Sequence, residues 1–121
     1  MPRVLIIDDS ELVRNFHSYI LKSEKFEVVT ANDGVDGLEK FFCAKFDLVI
    51  VDINMPKMDG YELVKQIRAS EDDIETPIIM ISTEDSENKK EKGFDAGANV
   101  YIVKPTEPEK LVANIRTLIG K

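Results

Sequence analysis

Polar side chains stop four short apolar runs in this sequence of 121 residues. They are Asp8 and Asp9, Asp52, Ser82 and Lys104. Carboxylates, a hydroxyl and an ammonium group could together hold a divalent cation and stabilise charge on a phosphoryl group. A carboxylate such as Asp52 can also act as a nucleophile toward phosphorus and form an aspartyl phosphate.

The three aspartates predict a cation between them. If Asp8, Asp9 and Asp52 converge, their charges repel and raise one another's pKa unless a positive ion intervenes. Mg²⁺ fits this role because it prefers oxygen ligands in octahedral geometry and commonly uses one or two carboxylates with a phosphate oxygen. The backbone carbonyl of Asn54, two residues after Asp52 in the sequence, could supply a further oxygen.

Each of these residues also has an ordinary structural interpretation. The Asp8-Asp9 pair could cap a helix, Ser82 could belong to a turn, and Lys104 could be a surface lysine with a buried stem. Asp52 alone could simply end a strand. Their joint occurrence at the ends of apolar runs favours a site.

The elements that must position these side chains alternate along the chain. Apolar runs predict five strands, at 3–7, 26–31, 48–52, 78–81 and 100–103. Helical spacing predicts five helices, at about 10–23, after the turn at 32–34, at 60–69, at 84–96 and from about 107. Such alternation predicts an α/β domain, a three-layer doubly wound fold around a parallel sheet. Its ligands bind beyond the carboxyl ends of the strands, where the polar residues fall.

Further expectations concern side-chain packing and local stability. The first helix is expected to bury one apolar stripe, formed by Leu12, Val13, Phe16 and Ile20. Cys43 is expected to be a small buried hydrophobe, and His17 a solvated or partly packed side chain. The helix at 84–96 is expected to be weakly held because it is nearly all polar and contains Gly93. The polar segment at 70–75 is expected to be a surface loop.

Composition excludes several classes of function. Sixteen basic and 23 acidic residues give a net charge of −7, which argues against binding of nucleic acid or anionic lipid. The apolar runs are too short to span a bilayer, no signal peptide is evident, and a cytoplasmic protein is expected. A single cysteine excludes an internal disulfide and a zinc cluster. The length suits one domain.

Several motifs occur together at the predicted strand ends. They are Asp8-Asp9-Ser10, Asp52 followed by Met55-Pro56-Lys57-Met58-Asp59-Gly60, Ser82, and Lys104-Pro105. With these motifs the sequence is similar to response-regulator receiver domains over nearly its full length, and to single-domain CheY-like regulators in particular. The resemblance implies a flavodoxin-like fold with strand order 2-1-3-4-5. It also implies that residues 1–121 form one receiver domain without an effector domain.

The resemblance further implies a role for each residue of the acidic site. Asp52 would be the phosphoacceptor. Asp9, Asp52 and the Asn54 carbonyl would hold Mg²⁺ directly, and Asp8 would act largely through water. Mn²⁺ or Ca²⁺ would be substitutes for Mg²⁺. Lys104 would pair with the phosphoryl group, and a cis peptide is implied between Lys104 and Pro105.

A switching mechanism is implied as well. Ser82 would turn toward the phosphoryl group, and Tyr101 would swing inward behind it. Asn54 and Glu84 fall at positions that tune the lifetime of the aspartyl phosphate. The fourth helix, fifth strand and fifth helix would then bind a partner. Thr106 departs from the family pattern, because phenylalanine is common after the Lys-Pro pair, as does Thr83, where alanine or glycine is frequent.

The expected function is therefore that of a signalling switch and not of an enzyme, except that it would assist its own phosphorylation and dephosphorylation. A histidine kinase or phosphotransfer protein would be the donor, an unidentified protein the output partner, and chemotaxis the leading process. A phosphorelay intermediate or a receiver from a larger hybrid protein are the alternatives. A monomer is expected, with a dimer on phosphorylation as the alternative.

Other classes fit less well. An aspartate-based phosphatase would require an Asp-x-Asp motif after the first strand, where this chain has the adjacent pair Asp8-Asp9. A flavin binder needs a phosphate-cradling loop there, and the two carboxylates would repel the phosphate. A binding module that works without phosphorylation is disfavoured because every expected site residue is present.

Overall fold

The computed structural model describes residues 1–70 and 75–120 and contains five strands alternating with five helices. The strands are β1 (Arg3–Ile7), β2 (Glu27–Ala31), β3 (Leu48–Asp52), β4 (Ile78–Ser82) and β5 (Val100–Val103). The helices are α1 (Glu11–Ser23), α2 (Gly34–Cys43), α3 (Gly60–Ala69), α4 (Glu87–Ala96) and α5 (Pro108–Ile119). The surface loop predicted at 70–75 lies mostly outside the described residues.

All strand pairs of the sheet are parallel, in the order β2-β1-β3-β4-β5. The predicted doubly wound fold and strand order are thus confirmed. Apart from Arg3 at the start of β1, the three central strands are apolar up to the polar residue that ends or follows each of them, because helices cover both of their faces. Their carboxyl ends meet at one edge, which brings together the polar residues that follow them.

The core has one layer on each face of the sheet. Alternate residues of β1, β3 and β4 point to opposite faces, so Leu5 and Val49 pack against α2, α3 and α4, whereas Val4 and Leu48 pack against α1 and α5. The main helical contributions to these layers are Phe41, Leu63, Val64, Ile67, Ile20, Leu21, Leu111 and Ile115. This two-sided burial fixes the strands that carry the site.

The predicted buried stripe of α1 is wrong in part. Leu12 is 80% exposed and Phe16 is 47% exposed. The helix buries Ile20 as predicted, and with it His17, Ser18 and Leu21 in place of Leu12 and Phe16. Both sets have helical spacing, and the chain entering from β1 turns the second set toward the sheet.

Two further side-chain expectations are also wrong. Cys43 is exposed, because it is the last residue of α2 and points away from the layer that buries Phe41. His17 is 2% exposed and therefore neither solvated nor partly packed. Its burial places the imidazole close to Lys104.

The fourth helix is formed but begins at Glu87, three positions later than predicted. Ser86 caps it by accepting a hydrogen bond from the Lys89 amide at 3.1 Å, and Gly97 ends it with a φ of +124°. Gly93 and Ala96 are its only buried residues. A helix with so few apolar anchors is held mainly by polar contacts. Among the described residues, no helix has the length and apolar character needed to cross a membrane.

Candidate functional site

The carboxyl edge of the sheet carries the residues singled out in the sequence. Asp52 and Ser82 are the last residues of β3 and β4, Asp8 directly follows β1, and Lys104 directly follows β5. The peptide between Lys104 and Pro105 is cis, as the resemblance implied. One cleft therefore receives a side chain from four adjacent strands.

The three aspartates form a compact cluster. One carboxylate oxygen from each of Asp8, Asp9 and Asp52 lies within 4.8 Å of the others. Asp8 and Asp52 are each only 3% exposed, whereas Asp9 is open to solvent. The cluster thus has a buried floor of two carboxylates and an exposed third carboxylate at its rim.

Lys104 is placed between the two buried carboxylates. Its Nζ donates to Asp52 Oδ1 at 3.1 Å and lies 3.6 Å from Asp8 Oδ2. One ammonium group therefore faces two buried negative charges. The other Asp8 oxygen, Oδ1, accepts from the Ser10 amide at 2.9 Å, so both Asp8 oxygens already have protein partners.

Arg14 is a residue of the site that sequence reasoning missed. Its Nη1 donates to the backbone carbonyl of Asp8 at 2.6 Å. The signal was available, because Ser10 is the N-cap of α1 and a residue near the start of that helix can reach back over the loop before it. The guanidinium group thereby fixes the loop that carries Asp8 and Asp9.

The chain after Asp52 folds back tightly on the end of β3. Asp59 caps α3, and the Gly60 amide donates to the Ile53 carbonyl at 2.9 Å. A Cβ at position 60 would stand 2.7 Å from the Asp52 carbonyl oxygen. Only glycine allows this approach, so the Asp59-Gly60 pair holds the phosphoacceptor candidate in place.

Ser82 lies beside this cleft with a hydroxyl that is fully buried. Its Oγ accepts from the Glu84 amide at 3.0 Å, which leaves its own proton free to be donated elsewhere. Glu84 is also linked to β5, because the Tyr101 hydroxyl donates to its carbonyl at 2.8 Å. The segment after β4 is therefore tied to both Ser82 and Tyr101.

Two buried polar groups near Lys104 have no hydrogen-bond partner among the described residues. They are His17 Nδ1 and Thr106 Oγ1. Burial lowers the pKa of His17 from 6.5, the Asp8 carboxylate opposes this, and Lys104 lowers the pKa further. His17 is thus kept neutral and adds no positive charge to the cleft at neutral pH.

Burial dominates the electrostatics of Asp52. Together with repulsion from Asp8, it raises the pKa of Asp52 from 3.8 to about 6, although attraction to Lys104 works in the opposite direction. Lys104 alone therefore does not compensate for the two buried carboxylates. A carboxylate that costs free energy to ionise is a good acceptor for added positive charge.

This cost predicts a pH-dependent gain from neutralising Asp52. Because its pKa is higher in the folded than in the unfolded chain, protonated Asp52 contributes stability at low pH that is lost as the pH rises through about 6. Asp52→Asn does not titrate, so its advantage over wild type in chelator should grow by about 1 to 2 kcal/mol between pH 5 and pH 7.5. Urea unfolding at several pH values measures this. A constant difference between the two proteins would contradict it.

The donor set fits a hard divalent cation. It consists of carboxylate oxygen atoms only. Two of the carboxylates, those of Asp8 and Asp52, belong to residues that are 3% exposed, and Lys104 alone does not balance their negative charge. Asp9 and Asp52 have the freer oxygens, whereas both Asp8 oxygens are engaged. The Asp8 oxygens are therefore less available to a metal ion than those of Asp9 and Asp52.

The fold and the site define a class: doubly wound domains with an acidic cleft and a lysine at the carboxyl edge of the sheet. Residues 4–116 match the family model described as the response regulator receiver domain. The chain belongs to that family and is a receiver domain of the two-component response-regulator type.

Individual relatives agree with this assignment. The chain is 38% identical to the response regulator MprA of Mycobacterium leprae, over 98% of this chain and 51% of that protein. It is 42% identical to the chemotaxis protein CheY4 of Vibrio cholerae, with a TM-score of 0.93 and 98% of each chain covered. The chain spans about half the length of the curated relatives it matches.

One solved structure bears on the metal. The receiver domain of the sensor histidine kinase PA1611 from Pseudomonas aeruginosa has a magnesium ion coordinated in its active site cleft. It is 25% identical to this chain, with a TM-score of 0.91, and the match covers 99% of this chain and 98% of that one.

Proposed function

We propose that this chain is a phosphorylation switch that accepts a phosphoryl group on Asp52 from a histidine kinase or phosphotransfer protein. The observation that carries the proposal is the arrangement of Lys104 Nζ, 3.1 Å from Asp52 and 3.6 Å from Asp8, beside a third carboxylate. These groups provide a nucleophile, a fixed positive charge and oxygen ligands in one cleft. Phosphoryl transfer requires little more than such positioning and charge stabilisation.

The geometry supports the following transfer step. An Asp52 carboxylate oxygen attacks the phosphorus of a phosphohistidine, a P–O bond forms, the P–N bond breaks, and the imidazole leaves with the electron pair. Mg²⁺ held by Asp9, Asp52 and the Asn54 carbonyl would neutralise phosphoryl charge. Lys104, already hydrogen-bonded to Asp52, would follow the new oxygens and stabilise the product.

The hydroxyl of Ser82 offers a route from phosphorylation to a change of surface. It is buried beside the cleft and keeps its proton available for a phosphoryl oxygen. The Glu84 amide donates a hydrogen bond to Ser82, so a movement of Ser82 toward Asp52 draws Glu84 in the same direction. The Glu84 carbonyl in turn accepts a hydrogen bond from the Tyr101 hydroxyl. The surface formed by α4, β5 and α5 would therefore change with the phosphoryl state and bind an output protein.

The relatives of this chain differ in the process that they control. CheY4 is a chemotaxis protein, whereas PhoP of Bacillus subtilis is a transcriptional regulatory protein of alkaline phosphatase synthesis. The likeness to CheY4, with 98% of both chains covered, supports the chemotaxis-type output that the sequence suggested. The likeness to PhoP supports a transcriptional output instead. For either output, the proposal is that the chain acts as a switch without other enzymatic activity. Its proposed location is the cytoplasm.

Labelling of the wild-type chain tests the proposal. With Mg²⁺ and a small phosphodonor such as acetyl phosphate, the chain should acquire one phosphoryl group that is labile to hydroxylamine. A matched reaction in chelator should remain at least roughly tenfold slower, because the carboxylates then repel the donor. Intact-protein mass spectrometry measures both reactions. A chain that stays unmodified, or acquires a hydroxylamine-resistant label, would contradict the proposed function.

A further inference from the structure

Tyr61 of α3 makes a hydrogen bond to α4. It is the second residue of α3, directly after the glycine that packs on the Asp52 carbonyl, and it is only 5% exposed. Its hydroxyl donates to the Lys89 carbonyl of α4 at 3.3 Å. Burial raises the pKa of Tyr61, so its phenol remains a hydrogen-bond donor at neutral pH. A group anchored next to the site therefore reaches the neighbouring helix.

A second contact joins the same pair of helices. Lys92 Nζ lies 4.4 Å from the centroid of the Tyr61 ring, within the distance at which a cation interacts with an aromatic face. Lys92 is one turn beyond Lys89 on α4. Tyr61 is thus contacted by α4 at its hydroxyl and over its ring.

These contacts matter because α4 has little else to hold it. Gly93 and Ala96 are its only buried residues. A Cβ at Gly93 would stand 3.1 Å from the Tyr101 ring, which shows how closely α4 lies over that side chain. Tyr101 in turn holds the Glu84 carbonyl at 2.8 Å. Two tyrosine hydroxyls, from α3 and β5, therefore anchor the segment that leads into α4 and its first turn.

We propose that Tyr61 is a positioning residue that latches α4 to α3 and opposes the displacement of α4 on phosphorylation. This inference rests on the proposed function. Tyr61 follows the rigid end of β3, so a movement of α4 away from α3 lengthens the bond from Tyr61 to Lys89. The hydroxyl then stabilises only the arrangement in which α4 is docked. Coupling of this kind is reciprocal, and the latch must weaken the affinity of the site for a phosphoryl group.

The test uses Tyr61→Phe, which removes the hydroxyl and keeps the buried ring. The probe is beryllium fluoride with Mg²⁺, a phosphoryl mimic, and its binding is followed by calorimetry. Loss of one net hydrogen bond should tighten binding roughly 2- to 10-fold. Hydrogen exchange of the amides in α4 should become faster by a similar factor, while exchange in β1 and β3 stays unchanged. Tyr19→Phe on the exposed face of α1 is the matched control.

A second variant protects the test against a simple packing defect. Lys92→Gln alters only an exposed side chain, removes the contact above the Tyr61 ring, and should tighten binding in the same direction by a smaller factor. General destabilisation would accelerate hydrogen exchange throughout the chain without tightening the binding of beryllium fluoride. Unchanged or weaker binding in Tyr61→Phe would overturn the latch. Absence of binding by wild type would instead overturn the proposed function.

Discussion

Asp52→Asn should lower phosphoryl incorporation from a small phosphodonor by more than roughly a hundredfold, because an amide offers no nucleophilic oxygen for an acyl phosphate. The fold should persist, since the substitution keeps the shape of the side chain and removes a negative charge from a residue that is only 3% exposed. The measurement is the initial rate of label incorporation with Mg²⁺ present. This variant should be at least as stable as wild type at pH 7.5, which separates loss of the acceptor from loss of structure.

Asp47→Asn is the matched control for that experiment. Asp47 directly precedes β3, at the end of the strand opposite to Asp52, and accepts a hydrogen bond from the Arg3 amide that an asparagine oxygen can also accept. The control should incorporate label at the wild-type rate. If Asp52→Asn also acquired a hydroxylamine-sensitive label at that rate, another residue would be the acceptor and the assignment would be wrong.

Lys104→Met should destabilise the metal-free protein strongly. The substitution leaves Asp52 and Asp8 buried without the ammonium group that lies 3.1 and 3.6 Å from them. Breaking a buried ion pair by removing one partner costs about 3–5 kcal/mol. The cost should be greater at pH 8 than at pH 6, because Asp52 can take up a proton at the lower pH and escape part of the penalty. Urea unfolding in chelator measures the free energy of unfolding.

Two further variants show whether the loss comes from the carboxylates. In an Asp52→Asn background, Lys104→Met should cost much less, because one of the two charges is already removed. Lys110→Met, which alters a lysine whose side chain is 72% exposed, should leave stability nearly unchanged. Equal costs of Lys104→Met in both backgrounds would show that the lysine stabilises the fold by packing of its stem alone.

The strand ends could be predicted from the sequence because one physical rule governs them. A run such as Leu48–Asp52 is apolar at every position before its carboxylate, which is typical of a short strand covered on both faces. Once five strands alternate with five helices, the parallel topology places the carboxyl ends of the strands at one edge of the sheet. Proximity of Asp8, Asp52, Ser82 and Lys104 then follows without knowledge of any side-chain contact.

The orientation of α1 could not be predicted in this way. Leu12, Phe16 and Tyr19 have helical spacing, and so do the buried His17, Ile20 and Leu21. The more apolar set lies outward, because the loop held by Ser10 and Arg14 determines how the helix meets the sheet. The local pattern contains two candidate faces, and only the tertiary connection selects between them.

Contacts between elements that are distant in the sequence could not be predicted from it either. The hydroxyl of Tyr61 reaches a carbonyl 28 positions later in the chain, and the sequence contains no periodic signal for such a bond. In the sequence Tyr61 is simply one apolar residue after a helix cap. Its role as a latch depends on the docking of α3 against α4, which is a property of the folded chain.

Reduction with borohydride followed by peptide mapping tests the central claim most directly. Borohydride converts an aspartyl phosphate into homoserine, so the modified residue can be read in the fragment spectrum of the peptide that contains β3. After treatment with Mg²⁺ and acetyl phosphate, homoserine should be found at position 52 and Asp8 and Asp9 should remain unmodified. Homoserine at position 8 or 9, or an unmodified Asp52 in a labelled protein, would contradict the account.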